Sequence, residues 1–295
     1  EQPKEIITAL APILISRLEN LTPTQTLQLV SVFNRARNRK DIMIFAADGT
    51  VQQKLKALAW DGAISPADDA DYLSVIHTNI GGGKTDVLMQ ERILQRIVIN
   101  SDGTVTKQLT IARTHTGTVQ NSSQNRDYLR IYVPAGSTLV SASGFSQPPE
   151  RRFSAPESWY DEHPVLAAIE KTETYDNASG LKVYKAFDKT VFANWVLTDP
   201  GRSSIIEIEY TLPQSLFNTE LRAAGLLKQK PSFTYALRAQ KQPGVSDALL
   251  LTSIELPPDW ESVWLTQGLQ LGRGAAISRS NFETDQLIGL VAAHK

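Results

Sequence analysis

From about residue 91 onward, apolar and polar side chains alternate with period two, and this feature constrains the chain more than any other. Val105, Lys107, Leu109 and Ile111 alternate with Thr104, Thr106, Gln108 and Thr110. Leu129, Ile131 and Val133 oppose Tyr128, Arg130 and Tyr132; Ile206, Ile208 and Tyr210 oppose Glu207, Glu209 and Thr211; Phe233, Tyr235 and Leu237 oppose Thr234, Ala236 and Arg238. Alternation places every second side chain on one face of an extended strand, which suits a sheet with one dry face. Asn100-Ser101-Asp102-Gly103 supplies a hairpin turn, because Asp-Gly accepts positive φ. Further strands are expected near 138–142, 181–187, 190–197 and 249–256, with turns at Pro200-Gly201 and Pro243-Gly244. About nine strands at this spacing predict an antiparallel β-sandwich over 91–295. Residues 146–180, rich in Pro, Ser and Glu, interrupt the pattern and read as a long surface excursion with a short helix over 164–171.

Residues 1–90 read differently. Ile6, Leu10, Leu14 and Leu18 recur at helical spacing around a kink at Pro12. Thr22-Pro23 starts a second helix: the hydroxyl caps free amides, and proline sits where its missing N–H costs nothing. Leu27, Val30 and Phe33 line that helix, and Arg35, Arg37, Arg39 and Lys40 meet the negative end of its dipole. A short buried strand is expected at 42–46, a third helix at 48–60 striped by Val51, Leu55 and Leu58, and a second strand at 72–76. Two short strands cannot cover three apolar helix faces. The fold class is therefore α+β, a partial α/β segment over 1–90 followed by an antiparallel sandwich. The segment is expected to be the C-terminal remnant of an α/β domain, partnered by an upstream half of the same protein or by a second copy.

Charge narrows the partners. Lys plus Arg is 30 and Asp plus Glu is 31. Residues 1–90 hold 9 basic and 10 acidic side chains, and 91–295 hold 21 of each. No net field draws in nucleic acid. The chain has no cysteine, which removes disulfides, thiolate nucleophiles and zinc–thiolate sites together and is compatible with an extracytoplasmic location. The longest apolar stretch, 6–15, is broken by Thr8 and Pro12 and cannot span a bilayer. The sequence starts at Glu1 rather than Met, so trimming upstream is expected.

The most distinctive local run is Asn79-Ile80-Gly81-Gly82-Gly83-Lys84-Thr85-Asp86. It has the Gly-Lys-Thr of a phosphate loop, but Thr78 stands where that pattern needs glycine, and β pattern rather than a long helix follows. Two readings stay open. The glycines let the backbone pass close to another element, or the loop presents Asn79, Gly81, Gly82, Gly83, Lys84 and Asp86 to a ligand or partner. His77, His115, His163 and His294 lack any close metal-binding spacing, and His115 reads as a hydrogen-bonded structural residue. Asp68, Asp69 and Asp71 cluster without the calcium-loop spacing. Trp159, Trp195, Trp260 and Trp264 could stack on sugar faces, although Trp195 shares a strand face with Val191 and Ala193 and reads as core. The sequence assigns no catalytic residue, metal or cofactor.

A series of blocks resembles a bacterial family known as domain of unknown function 4012. They are Asp71-Tyr72-Leu73, the 79–86 run, His115-Thr116-Gly117, the stretch from Tyr128 through Val133 to Gly136, Asp199-Pro200-Gly201 and Gln240-Lys241-Gln242-Pro243-Gly244. Arg39-Lys40-Asp41-Ile42 and Trp60-Asp61-Gly62 fit as well, so the resemblance covers most of 35–250. It implies a protein tethered to the membrane by an upstream anchor and facing outward, with a non-catalytic binding or structural role and cell-wall polymer as a partner. Upstream, that family is similar to the LytR-CpsA-Psr glycopolymer ligases. The alternative is then an accessory half of such a transfer enzyme, with its active site outside this chain.

Overall fold

The computed structural model describes residues 5–66, 70–154, 157–213, 231–246 and 248–295. It divides into two units, Glu1–Ala63 and Ile64–Lys295. This boundary lies earlier than the change of periodicity near residue 90, because the segment between them belongs to the sheets. Of the early acidic cluster, Asp68 and Asp69 lie outside the described residues.

The first unit is helical: α1 (Glu5–Glu19), α2 (Pro23–Asn38) and α3 (Gly49–Ala57). Helix α2 begins with a full capping box, in which the Thr22 hydroxyl accepts from the Gln25 amide and the Gln25 side chain accepts from the Thr22 amide. Asp48 caps α3 through the Val51 amide. The strand expected at 42–46 does not form. That segment makes one backbone bond, Ile44 N–H to Trp60 O at 2.9 Å, and Phe45 is 82% exposed. A lone extended stretch with no ladder has nothing to make it a strand.

The second unit is a β-sandwich. Its strands are β1 (Asp71–Ile76), β2 (Met89–Ile99), β3 (Val105–His115), β4 (Asn125–Pro134), β5 (Thr138–Ser143), β6 (Thr174–Asp176), β7 (Leu181–Ala186), β8 (Lys189–Thr198), β9 (Ser203–Thr211), β10 (Ser232–Ala239), β11 (Ala248–Glu255), β12 (Trp260–Leu265), β13 (Leu269–Leu271), β14 (Ala276–Asn281) and β15 (Gln286–His294). The excursion carries the expected short helix, α4 (Pro164–Glu170). One sheet has eight strands in the order β12-β15-β10-β1-β4-β8-β7-β6; the other has seven in the order β13-β14-β11-β2-β3-β9-β5. The strands beyond residue 256 and the three-residue β6 escape the sequence reading: β6 and β13 have three residues each at sheet edges, and the nine-residue β15, although interior, lacks a clean alternation.

Pairing is mostly antiparallel, with two exceptions that correct the purely antiparallel expectation. β1 runs parallel to β10 in the first sheet, and β2 runs parallel to β11 in the second. Among the chain's passages between the sheets, those from β1 to β2 and from β10 to β11 run in the same sense and join strands that are paired in parallel at both ends, so these two crossings lie side by side. This arrangement positions the candidate site.

Between the sheets, Ile97, Val105, Ile111, Leu129, Val133, Phe192, Ile206, Leu237 and Leu290 are fully or almost fully buried. A buried ion pair crosses this core. Lys107 on β3 places its Nζ 2.6 Å from Asp71 Oδ2 on β1, and the Tyr235 hydroxyl donates to the same carboxylate. The Tyr72 amide donates to the other carboxylate oxygen at 2.7 Å. Burial pushes the Lys107 amine below its usual range, with Asp71 pulling the other way, and burial and Asp71 together push the Tyr235 phenol up. A second apolar cluster, Tyr72, Tyr132, Tyr184, Val191 and Ala193 with Tyr128 and Ile169 against it, lies on the outer face of the eight-stranded sheet over β1, β4, β8 and β7.

Candidate functional site

The 79–86 run lies in the first of these two side-by-side crossings, inside the sandwich unit rather than at a junction between the two parts of the chain. Gly81 and Gly83 have φ of +67° and +65°, and Lys84 is left-handed at +60°. Gly82 has ordinary φ, and what it needs is space: a Cβ there would lie 1.9 Å from Asn79 Oδ1 and 3.0 Å from the Arg126 backbone nitrogen. The close-crossing reading of the glycines thus fits the geometry.

Polar bonds pin the loop onto β4. The Ile80 amide donates to Arg126 O at 2.8 Å, and the Tyr128 amide donates to Thr78 O at 2.9 Å. Thr85 Oγ1 donates to Gly82 O at 2.8 Å and accepts from Asn79 and Asn125. Asp86 accepts from Asn125 Nδ2 at 2.9 Å and lies 3.5 Å from Arg113 Nη2. Asn79, Gly82 and Asp86 are therefore parts of the crossing's own framework. Lys84 is exposed.

Beneath the loop lies a charged cluster that reading the histidines by spacing missed. His77 places Nε2 2.5 Å from Glu91 Oε2 and Nδ1 2.7 Å from Asp127 Oδ2, with all three side chains at least nine-tenths buried. Arg113 Nη1 donates to Asp127 Oδ2 at 2.8 Å and to Asn125 Oδ1 at 3.0 Å. The Thr78 amide donates to Asp127 Oδ1 at 2.7 Å. Burial works against a charged imidazole and Arg113 repels it, yet Glu91 and Asp127 outweigh both and raise the His77 pKa to about 9. Burial opposes ionisation of Asp127, but His77, Arg113 and the Thr78 amide hold its carboxyl below the usual range. With His77 protonated, two cations and two anions balance inside the fold.

The second crossing closes over this cluster. The His77 amide donates to Gln242 Oε1 at 2.7 Å, and Gln242 Nε2 returns a bond to His77 O at 2.9 Å. A cavity of about 290 Å³ remains between the crossings, lined by His77, Asp86, Glu91, Arg113 and residues 242–246. Near it, His115 is fully buried, accepts the Gly117 amide at Nδ1 (3.1 Å) and donates through Nε2 to Ser123 O (3.0 Å), the structural role expected of it.

On its outer side the same loop borders a larger concavity of about 540 Å³, lined by Ile80, Gly81, Arg126, Pro148, Arg151, Arg152, Phe153 and Trp195. The excursion builds its far wall. The Ser146 amide donates to Trp195 O at 3.0 Å, Ser146 Oγ accepts from the Leu197 amide at 2.9 Å, and one 3-10 turn, Glu150–Arg152, presents the two arginines. Trp195 is not core, contrary to the sequence reading: it sits half-buried on the outer sheet face, edge-on to Tyr128 at 5.3 Å and to Phe153 at 5.6 Å between ring centres. Among the described residues, no group of histidines and carboxylates could hold a metal ion, and no helix is long and apolar enough to cross a membrane.

No family model matches the sequence, and no curated protein matches it. Similar solved structures include a two-domain M1 zinc metallopeptidase mutant bound to L-arginine (9% identity, TM-score 0.30, covering 73% of this chain and 43% of that one). An M1 zinc metallopeptidase from Deinococcus radiodurans is 9% identical with a TM-score of 0.29, over 70% of this chain and 42% of that one. A proposed nutrient binding protein from Legionella pneumophila is 9% identical with a TM-score of 0.35, over 75% and 70%. The chain thus spans less than half the length of these metallopeptidases, and superpositions this loose carry no residue role to it.

Proposed function

We propose that the Ile64–Lys295 unit is an extracytoplasmic, envelope-associated β-sandwich that works by binding, with cell-wall polymer as its ligand class. One observation carries the reading. The glycine-rich crossing is fixed on β4 by backbone and side-chain hydrogen bonds, and its outer side forms one wall of an open concavity lined by arginines and aromatic rings. A pre-formed concave surface with a few placed polar groups suits recognition, because little order has to be created on binding. The resemblance to the outward-facing family supplies the location and the membrane tether.

The test is a pelleting assay with the full chain and purified bacterial wall sacculi, either intact or stripped of their anionic polymers. Retention on intact sacculi, saturable and competed by soluble wall fragments, is expected. If all the protein stays in the supernatant with both preparations, the reading is wrong.

A further inference from the structure

We infer that the concavity beside Gly81 is a subsite for a sugar ring bearing an oxyanion, either a uronate carboxylate or a phosphate ester; this rests on the binding-module reading and names its ligand chemistry. The argument begins with charge. Arg126, Arg151 and Arg152 converge on one concavity in a chain whose net charge is −1. Arg126 donates through Nη1 to Gly81 O and through Nε to Gln124 Oε1 at 3.3 Å, both neutral acceptors. Among the described residues, no carboxylate pairs with any of the three. The neighbouring cavity over His77 differs, because there Glu91 and Asp127 balance His77 and Arg113. Of these two cavities, the outer one is lined by three arginines and no carboxylate. Guanidinium groups present paired N–H donors that match carboxylate and phosphate oxygens.

The second element is the aromatic surface. Trp195 and Phe153 line the same space at 5.6 Å between ring centres, and Phe153 is 49% exposed. A sugar ring offers a face of C–H groups that packs on flat aromatic rings, whereas an acidic peptide or a bare polyanion does not need that surface. The placement is also built. Ser146 ties the excursion to β8 at the Trp195 carbonyl and the Leu197 amide, and Gly81 O orients Arg126. A volume of about 540 Å³ lies within the range of small-molecule sites and holds one or two sugar rings.

Calorimetric titration of the full chain tests this with four probes: oligogalacturonate, glucose 6-phosphate, a neutral maltooligosaccharide and polyglutamate. At least one of the first two should bind about tenfold or more tightly than either of the others. Which of the two binds identifies the oxyanion. The Arg151→Ala/Arg152→Ala pair lies on exposed positions and should weaken binding by about tenfold or more, and Arg151→Lys/Arg152→Lys should give a smaller loss. Ligand-induced fluorescence quenching should disappear in Trp195→Phe. Binding of neutral sugar or polyglutamate at equal affinity, unchanged affinity in the alanine pair, or no binding of either sugar oxyanion would overturn the inference. Retention on both intact and stripped sacculi, undiminished in the alanine pair, would sink this subsite while leaving the binding-module reading in place.

Discussion

The two units of this chain both carry apolar side chains at regular spacing and treat them in opposite ways. In α1 the row Ile6, Leu10, Leu14 and Leu18 forms as a helix, yet none of the described residues of α1 is buried. In β2 from Glu91 onward and in all of β3 the inward row is buried, including its charged members Glu91, Lys107 and Arg113. Periodicity therefore decides which element forms, while coverage depends on whether a partner surface exists. β2 and β3 each have neighbours on both edges and a second sheet across the core. In the first unit, Leu55 is the one apolar side chain among the described residues that is buried.

The sharpest way to test this contrast is to remove charge from the covered region. Asp71→Ala strands the Lys107 ammonium in the core and should cost about 3–5 kcal/mol, whereas Asp71→Leu with Lys107→Met should recover most of that loss. Urea unfolding followed by fluorescence measures both. A single-variant cost below about 1 kcal/mol would mean that the core around Asp71 is wetter than the geometry shows.

The charged cluster under the crossing should make the sandwich sensitive to alkali. His77 binds its proton more tightly in the fold, with a pKa of about 9, than in the unfolded chain, where the ordinary value near 6.5 applies. The stability it contributes is therefore complete below about pH 6.5 and is lost as pH rises towards 9, an effect on the order of 2–3 kcal/mol. Glu91 from β2 and Asp127 from β4 favour the charge, and Arg113 from β3 opposes it. His77→Gln should flatten the slope of stability between these values. Equal slopes in wild type and variant, from urea titrations at pH 6, 7.5 and 9, would rule this out. Asp127, with its carboxyl held low, acts at the other end: its stabilisation persists above the usual carboxylate range and is lost in acid.

The smallest effect belongs to the uncovered helix. Ile7→Lys with Leu14→Lys in α1 should change unfolding free energy by no more than about 0.5 kcal/mol. A cost above about 1 kcal/mol that grows with protein concentration would show that a second copy covers this face.

Much of the sandwich could be read directly. The inward parity of Leu129, Ile131 and Val133 and of Ile206, Ile208 and Tyr210 is as the alternation requires. So are the capped start of α2 and the hairpin at Asn100 to Gly103. The buried charges were legible in part: Lys107 falls in the apolar row with Val105, Leu109 and Ile111, and Glu91, Arg113 and Asp127 share the inward parity of their strands. A charged residue on a dry face signals a buried pair, although the pattern alone cannot say with whom. The arginine concavity was not legible. Arg126, Arg151, Arg152 and Trp195 come from two strands and an excursion, and no local spacing links them.

By itself, then, the sequence determined the elements: period two made strands, period 3.6 made helices, and glycine at 81 to 83 allowed the backbone its tight crossing. Those are local choices, governed by backbone sterics and by which side chains share a face. Only the tertiary structure decided that β1 belongs to the sandwich and that 42–46 is no strand. It alone set His77 between two carboxylates and brought the two crossings together. Each of these depends on partners distant along the chain, and the free energy of burying a face or a charge is fixed by what lies against it, not by the residues that carry it.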